Sequence, residues 1–489
     1  MKPRGLHIGS DNDILLVERG KSRVIRLDDD GNTIVPIATK SGLNHGIELS
    51  NGYLYASTAT SVFRWPYKTG QTTTSNDNNI QEVIIGMGGT ASNELGAPGG
   101  HTTRTLAFDA DGKWLYVSIG SNGNVDADSS RSRIRRFDIS TWDGNQPMIF
   151  NNGEIFADGL RNEVGLAFDS FGDLWGVENG ADNLYRQDLG GDIHNDNPSE
   201  ELNRFRQDQI GQSWGYPYCW SEYCLPTQNG GSGMKGANAI WAWPSFISAG
   251  YTADEWCREN TNPSEMSMPA HSAPLGITFY DWRDTSQDEE CQGTFPKSMD
   301  KYAFIAFHGS WNRSPSTGFK VVYIPFDRSG NPTALPIDLF RHDSDNAKWP
   351  GALRPVDVQF DKCGRLYVTE DGTGSVIEIT YTGGVTDETL VLESGDVADG
   401  AACSPYQSPS NPPSESPERQ PTTSNPTPTS SIVSPTLSEE TTITTSSKPN
   451  NSEAEEPGST CCSSSGSISY PLLGVVEFVV VLISLMLLC

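Results

Sequence analysis

Cations are scarce in this chain. Its 489 residues include 34 Lys and Arg against 62 Asp and Glu, a formal net charge of −28. Nucleic acid is held by clustered Lys and Arg, and no such cluster is present, which excludes nucleic acid as a partner. Charge of this kind bears on solubility rather than on fold. An apolar leader is also lacking, because Met1-Lys2-Pro3-Arg4-Gly5 runs straight into patterned sequence. The expectation is that a signal peptide and the strand that closes the ring described below are missing from this N-terminus. Residues 403–460 have no apolar periodicity and consist largely of Ser, Thr and Pro. Such a tract cannot bury a core and reads as a disordered, O-glycosylated stalk, with a sequon at Asn450-Asn451-Ser452. The terminal apolar run, 472–489, is broken only by Glu477 and has no basic flank behind it. A spanning helix ordinarily carries such a flank. With small residues at Gly458-Ser459-Thr460 or Ser463-Ser464-Ser465, the tail reads as a GPI-attachment signal, with a tail-anchored helix as the alternative.

What the chain has in abundance is one repeated phrase. Leu106-Ala107-Phe108-Asp109-Ala110-Asp111-Gly112 is followed by Trp114-Leu115-Tyr116-Val117. The phrase recurs from Gly165, as Leu166-Ala167-Phe168-Asp169, Gly172 and Leu174-Trp175, and at Val356, as Phe360-Asp361, Gly364 and Leu366-Tyr367. Looser copies begin at Gly5, Gly46 and Gly276. Two apolar strands around an Asp/Gly turn, repeated six times, predict an all-β, six-bladed β-propeller over 1–402. A disordered linker over 403–470 and a hydrophobic anchor over 471–489 follow it. A body of this length exceeds a single core, which blades packed only on their neighbours avoid. Alternating segments such as Arg133-Ile134-Arg135-Arg136-Phe137 and Ser375-Val376-Ile377-Glu378-Ile379 supply the outer strands. Two long loops, 190–272 and 281–300, are expected to roof one face.

The nine cysteines suit an oxidising compartment. The expected pairs are Cys219 with Cys224, Cys257 with Cys291, and Cys363 with Cys403; buried free thiols are the alternative. Together with the stalk and tail, they place the protein outside the cell, anchored at its surface.

Polar residues recur just before the first strand of each copy: Asn44-His45, His101 to Arg104, Arg161-Asn162, and Arg354. In a propeller these loops converge on the channel mouth, where a ring of His and Arg attracts a multiply anionic ligand. Each alone could be a loop-packing residue. Glu178-Asn179-Gly180-Ala181-Asp182-Asn183 offers hard oxygens suited to Ca²⁺ without EF-hand spacing, and equally reads as an acidic turn. Asp192, Asp196, Glu200 and Glu201 could hold a structural cation or be solvated. His308-Gly309-Ser310-Trp311-Asn312-Arg313 leaves an apolar strand, and its sequon-like Asn312-Arg313-Ser314 reads as accidental.

Residues 2–381 resemble the soluble quinoprotein sugar dehydrogenases, above all the fungal PQQ-dependent pyranose dehydrogenases, with bacterial glucose and aldose sugar dehydrogenases more distant. The resemblance rests on His101 in its Gly-Gly-His context, Leu160-Arg161-Asn162-Glu163-Val164-Gly165, Glu178-Asn179-Gly180-Ala181, Ser213-Trp214-Gly215-Tyr216-Pro217 and Pro274-Leu275-Gly276-Ile277, in that order. It implies PQQ and Ca²⁺ as cofactors, a sugar substrate, and an external electron acceptor such as a cytochrome or quinone. His101 is then the general base and Arg161 the cation beside the quinone oxygen, positioned with Asn162. The cofactor set is His45, Arg161, Asn162, Trp214, Tyr216, His308, Trp311, Asn312, Arg313 and Arg354, and the metal set is Glu178, Asn179, Gly180 and Ala181. The bacterial enzymes use Lys and paired Arg on later blades, where this chain has His308, Arg313 and Arg354. A Ca-dependent lactonase, or a non-catalytic propeller binding a protein or glycan at the cell surface, are the alternative readings.

Overall fold

The Asp and Gly of the repeat have a defined job. Asp109 Oδ1 accepts hydrogen bonds from the amides of Lys113 and Trp114, at 2.8 and 2.9 Å. Gly112 closes the turn at φ +63°, a left-handed conformation that favours glycine. Asp169 with Gly172, and Asp361 with Gly364, repeat the same turn. Each turn folds two apolar segments back on each other, and that hairpin is the centre of a blade.

The computed structural model describes residues 2–383, except 28–33, 73–78, 88–99, 128–129, 226–239, 251 and 343–352, together with 467–468 and 478–483. Six antiparallel blades are present. Their innermost strands are Pro3–Ile8, Ile47–Ser50, Leu106–Phe108, Glu163–Phe168, Pro274–Phe279 and Pro355–Phe360, in ring order, and the sixth lies against the first. The ring is therefore closed, by Leu6 N donating to Asp357 Oδ2 at 2.8 Å and Thr369 Oγ1 to Arg4 O at 2.6 Å. Six apolar clusters fill the six seams. One joins Leu15, Val24, Leu54 and Trp65 between blades one and two, and another joins Leu6, Ile25, Tyr367 and Val376 between one and six.

Blade one has four strands from residues 3–39 alone. The ring-closing strand expected to be missing has its counterpart in the tail: Phe478–Ile483 pairs antiparallel with Val376–Tyr381 in blade six, from Val376 opposite Ile483 to Tyr381 opposite Phe478. This part of the expected anchor is thus a strand, and no described helix is long and apolar enough to cross a membrane. The rest of the stalk and tail, its sequon and Cys403 lie outside the described residues.

Two expectations need correction. Cys219 pairs with Cys257, and Cys291 with Cys363. Cys219 lies in a hairpin, Cys219–Ser221 with Ile240–Ala242, on which the helix Asp254–Asn260 carrying Cys257 packs. Cys224 is also disulfide-bonded. Loop 281–300, expected in the roof, links the first strand of blade five to the second and so emerges at the opposite face. There Phe295 N bonds Gly364 O at 3.0 Å and Cys291 meets the blade-six turn at Cys363.

Candidate active site

In an antiparallel blade, the start of the first strand and the end of the second lie at the same edge. One face therefore gathers the start of the first innermost strand (residue 4) and the loops before the others (45, 101–104, 161–162, 271–273 and 354) with the loops leaving second strands (121–126, 179–182, 308–313 and 371). The side chains form two groups.

The first group centres on His101 and Arg161. His101 Nδ1 lies 3.0 Å from both Ser121 O and Ser121 Oγ. A proton on Nδ1 donated to the carbonyl leaves Nε2 as the basic nitrogen. Burial, with Arg161 beside it, pushes the imidazole down to about 4, so it is neutral at physiological pH. Arg104, expected in the same ring, does not face the mouth. It is fully buried and donates to the carbonyls of His101, Thr103 and Met87 at 2.7, 2.8 and 3.3 Å, bracing the loop from behind. Asn162 is buried, its Oδ1 packed over Gly120 beside His101 Cβ.

The Arg161 side chain is 7% exposed and is ringed by oxygen. Nε donates to Asn124 O at 3.2 Å, Nη1 to Asn179 O and Gly180 O at 3.1 and 2.5 Å, and Nη2 to Asn124 Oδ1 and Asp182 Oδ2, both at 3.1 Å. Asp182 also accepts from Asn312 Nδ2 at 2.6 Å and lies 3.5 Å from His271 Nδ1. His271 has φ +62° and Ala273 φ +54°. A non-glycine residue held there marks a loop that its surroundings over-determine. Those surroundings are His194 O against His271 Nε2 at 2.5 Å, and Glu200 Oε1 accepting from Ala273 N at 3.1 Å.

The expected metal residues separate on inspection. The carbonyls of Asn179 and Gly180 face Arg161, as above. Glu178 is buried, and its Oε1 accepts from Arg161 N at 2.7 Å. Burial beside Glu201 and Glu163 holds its carboxyl protonated well above the usual range. Ala181 packs with Leu184, Trp220 and Trp241. Glu200 Oε2 accepts from Gly180 N at 2.7 Å, Asp196 holds Arg313, and Asp192 is exposed. Among the described residues no three His, Cys, Asp or Glu are grouped to hold a metal. The donor set nearest to calcium chemistry is instead the oxygens around Arg161, hard in kind and mostly uncharged.

The second group is cationic. Asp371 accepts from Arg4 Nη1 at 2.8 Å and lies 2.9 Å from His308 Nε2, and these partners lower its pKa despite burial. Arg354 donates to His308 O and Gly309 O at 3.1 and 2.5 Å. His45 is buried, and burial with Arg4 and Arg19 nearby pushes its pKa well down. Its Nδ1 and Arg4 Nε are enclosed without a hydrogen-bond partner among the described residues. Two guanidinia and two imidazoles around one carboxylate leave an excess of donors that suits a ligand carrying several carboxylates.

Other expected residues are placed differently. Arg313 is engaged in the roof, by Asn195 O at 2.9 Å, Asp196 Oδ1 at 2.6 Å and Pro315 O at 3.1 Å. Trp214 is buried edge-on to Phe205, 4.8 Å between rings. Tyr216 OH takes Asp126 N at 2.8 Å and reaches Asn124 O at 3.1 Å, bracing the loop behind His101. Trp311 is 75% exposed at the mouth, free to stack on a ring. Arg161, Gly180, Trp214, Tyr216, Trp220 and Trp243 border a narrow cleft under the roof. Sequence reasoning missed Arg4, Asn124, His271 and Asp371. Arg4 was detectable, since it precedes Gly5 as His45 precedes Gly46. Asn124 carries no charge and offered nothing to find.

A family profile described as TrAA12-like matches residues 1–382. A pyrroloquinoline quinone-dependent sugar dehydrogenase of Hypocrea jecorina is 30% identical over 76% of this chain and 84% of that protein. The pyrroloquinoline quinone-dependent pyranose dehydrogenase of Coprinopsis cinerea is 28% identical over 78% of this chain, which spans about half (52%) of that longer protein. Among solved structures, the calcium structure of the Trichoderma reesei family AA12 protein is similar, with TM-score 0.63 and 28% identity, covering 77% of this chain and 91% of that one. So is the holo PQQ domain of the Coprinopsis cinerea pyranose dehydrogenase, with TM-score 0.63 and 27% identity, covering 77% and 92%.

Proposed function

The chain belongs to the TrAA12-like family, and on that premise we propose that it is a PQQ- and calcium-dependent dehydrogenase that oxidises a pyranose or related sugar and passes the electrons to an external acceptor. The observation that carries this is His101: a neutral imidazole, oriented through Nδ1 by Ser121, beside Arg161 at the mouth of a propeller. Bound PQQ supplies a quinone that accepts a hydride. His101 Nε2 takes the proton of the sugar hydroxyl. Arg4, His45, His308 and Arg354 are the groups suited to the carboxylates of PQQ, and Arg4 Nε and His45 Nδ1, unpaired among the described residues, support that fit. Trp311 offers a stacking face for the sugar.

The test is a titration of PQQ into the full chain with and without Ca²⁺, followed by a panel of pyranoses and an artificial electron acceptor. Expected are calcium-dependent PQQ binding and sugar-driven acceptor reduction, which His101→Ala lowers by about 10²–10⁴-fold while PQQ still binds. Failure to bind PQQ at any calcium concentration overturns the reading. The enzyme is further proposed to lie outside the cell on a glycosylated stalk, where a lipid anchor would require strand Phe478–Ile483 to leave blade six. The disulfides support the compartment, and release from membranes by a phosphatidylinositol-specific phospholipase tests the anchor.

A further inference from the structure

A guanidinium has five N–H donors in a fixed planar fork, and Arg161 uses all five on oxygen. The acceptors come from three places: the carbonyl and side chain of Asn124, the carbonyls of Asn179 and Gly180, and the carboxylate of Asp182. Asn124 also fixes this loop, its Oδ1 accepting from Asp182 N at 2.6 Å and its Nδ2 donating to Asp182 O at 2.7 Å. Asp182 is held from the other side by Asn312, and Gly180 by Glu200 through its amide. The oxygens are thus positioned by the fold as well as by the arginine. Three peptide carbonyls, one amide oxygen and one carboxylate are ligands of the kind that calcium takes, at about 2.3–2.6 Å.

An ion at that distance from Gly180 O would stand against Nη1, which is 2.5 Å from the same atom. An ion within about 2.6 Å of both Asn179 O and Gly180 O would take the place of Nη1, which lies 3.1 and 2.5 Å from those two atoms. In a site this enclosed the repulsion of two cations is weakly screened. The ion and the guanidinium must exclude each other. An Arg161 with every donor engaged also has no N–H free to bond a ligand until some of those donors are released.

We propose that the carbonyls of Asn179 and Gly180, both held by Nη1, are contested by the Arg161 guanidinium and a divalent ion, with the Asp182 carboxylate nearby, so that ion entry turns Arg161 toward the cofactor. The inference rests on the calcium requirement proposed above and adds to it a competitor within the chain. By linkage, whatever draws Arg161 off the carbonyls tightens the ion to the same degree as the ion favours that movement.

The experiment uses Ca²⁺ alone as the probe, titrated calorimetrically into the full chain with no PQQ or sugar present. Arg161→Met is expected to bind Ca²⁺ about tenfold or more tightly than the unsubstituted protein, the equivalent of ~1.4 kcal/mol. Arg161→Lys, whose ammonium has three donors for five acceptors, is expected to fall between them. Arg354→Met removes a charge from the same mouth but touches none of the five oxygens, and is expected to stay within about twofold, since screened charge alone is a small effect. Asp182→Asn is expected to weaken the ion. Calcium affinity unchanged or weakened in Arg161→Met, or raised equally by Arg354→Met, overturns the proposal. If Arg161→Met folds only with the ion present, Arg161→Lys decides, and no gain in its affinity overturns the proposal. A protein that fails to oxidise sugars leaves this titration readable, so the two failures are distinct.

Discussion

His101 and Arg104 are three residues apart and do opposite things. His101 presents a neutral nitrogen, and if it is the base of the proposed reaction its depressed pKa sets the acid limit of that step. The rate of sugar oxidation should therefore fall as the pH drops through about 4 rather than through the 6.5 of a free imidazole, a limb read from the pH profile of kcat/KM. Arg104 supports that loop from behind. Arg104→Leu strips donors from the carbonyls of His101, Thr103 and Met87. Each stranded carbonyl costs about 1–3 kcal/mol and there are three, so a loss of at least ~3 kcal/mol is expected in urea unfolding. Sequence placed both residues at the mouth, because their register before an inner strand is visible in the repeat. It could not separate them, since a buried brace and an exposed ligand look alike in one chain. Arg313 failed for the same reason: its partners Asn195 and Asp196 belong to a loop without periodicity.

The glycines that begin the inner strands show why the repeat takes its form. A Cβ on Gly46 would stand 2.2 Å from Arg104 O and 2.6 Å from Ser57 Oγ, and one on Gly5 would stand 2.0 Å from His45 O. Neighbouring blades touch backbone to backbone at this level, directly beneath the site. Gly46→Ala is expected to lose at least ~1–3 kcal/mol, the usual range for overpacking, seen as a lowered melting midpoint together with weakened PQQ binding. The hairpins and their turns were fully legible because each is local. The disulfides were not, because proximity in sequence suggested Cys219 with Cys224 while a helix 38 residues away supplied Cys257.

Over the whole propeller, two buried populations pull stability in opposite directions with pH. Burial pushes the Asp357 carboxyl up to about 7 from 3.8. Its contribution is complete below 3.8 and is lost as the pH rises through about 7. His101, His45 and His308 are depressed, so their contribution is present above 6.5 and declines as the pH falls below it. Asp357→Asn removes one member of the first set and weakens one of its two amide contacts at every pH. The melting midpoint of the variant relative to the parent should therefore improve from pH 5 to about pH 7 and level off above it; a constant offset would refute the assignment. Blade count was legible from six copies of one phrase, whereas ring closure was not, because the strand expected to be missing has its counterpart at Phe478–Ile483, far beyond the last copy, and the roof over blade four has no repeat to read. The bond from Cys291 to Cys363, 72 residues apart, has a further consequence. It encloses three strands of blade five and the innermost strand of blade six in one covalent loop. A protease that nicks the chain within that loop leaves no separate fragment: the product keeps its full length on a non-reducing gel and falls into two pieces only with a thiol.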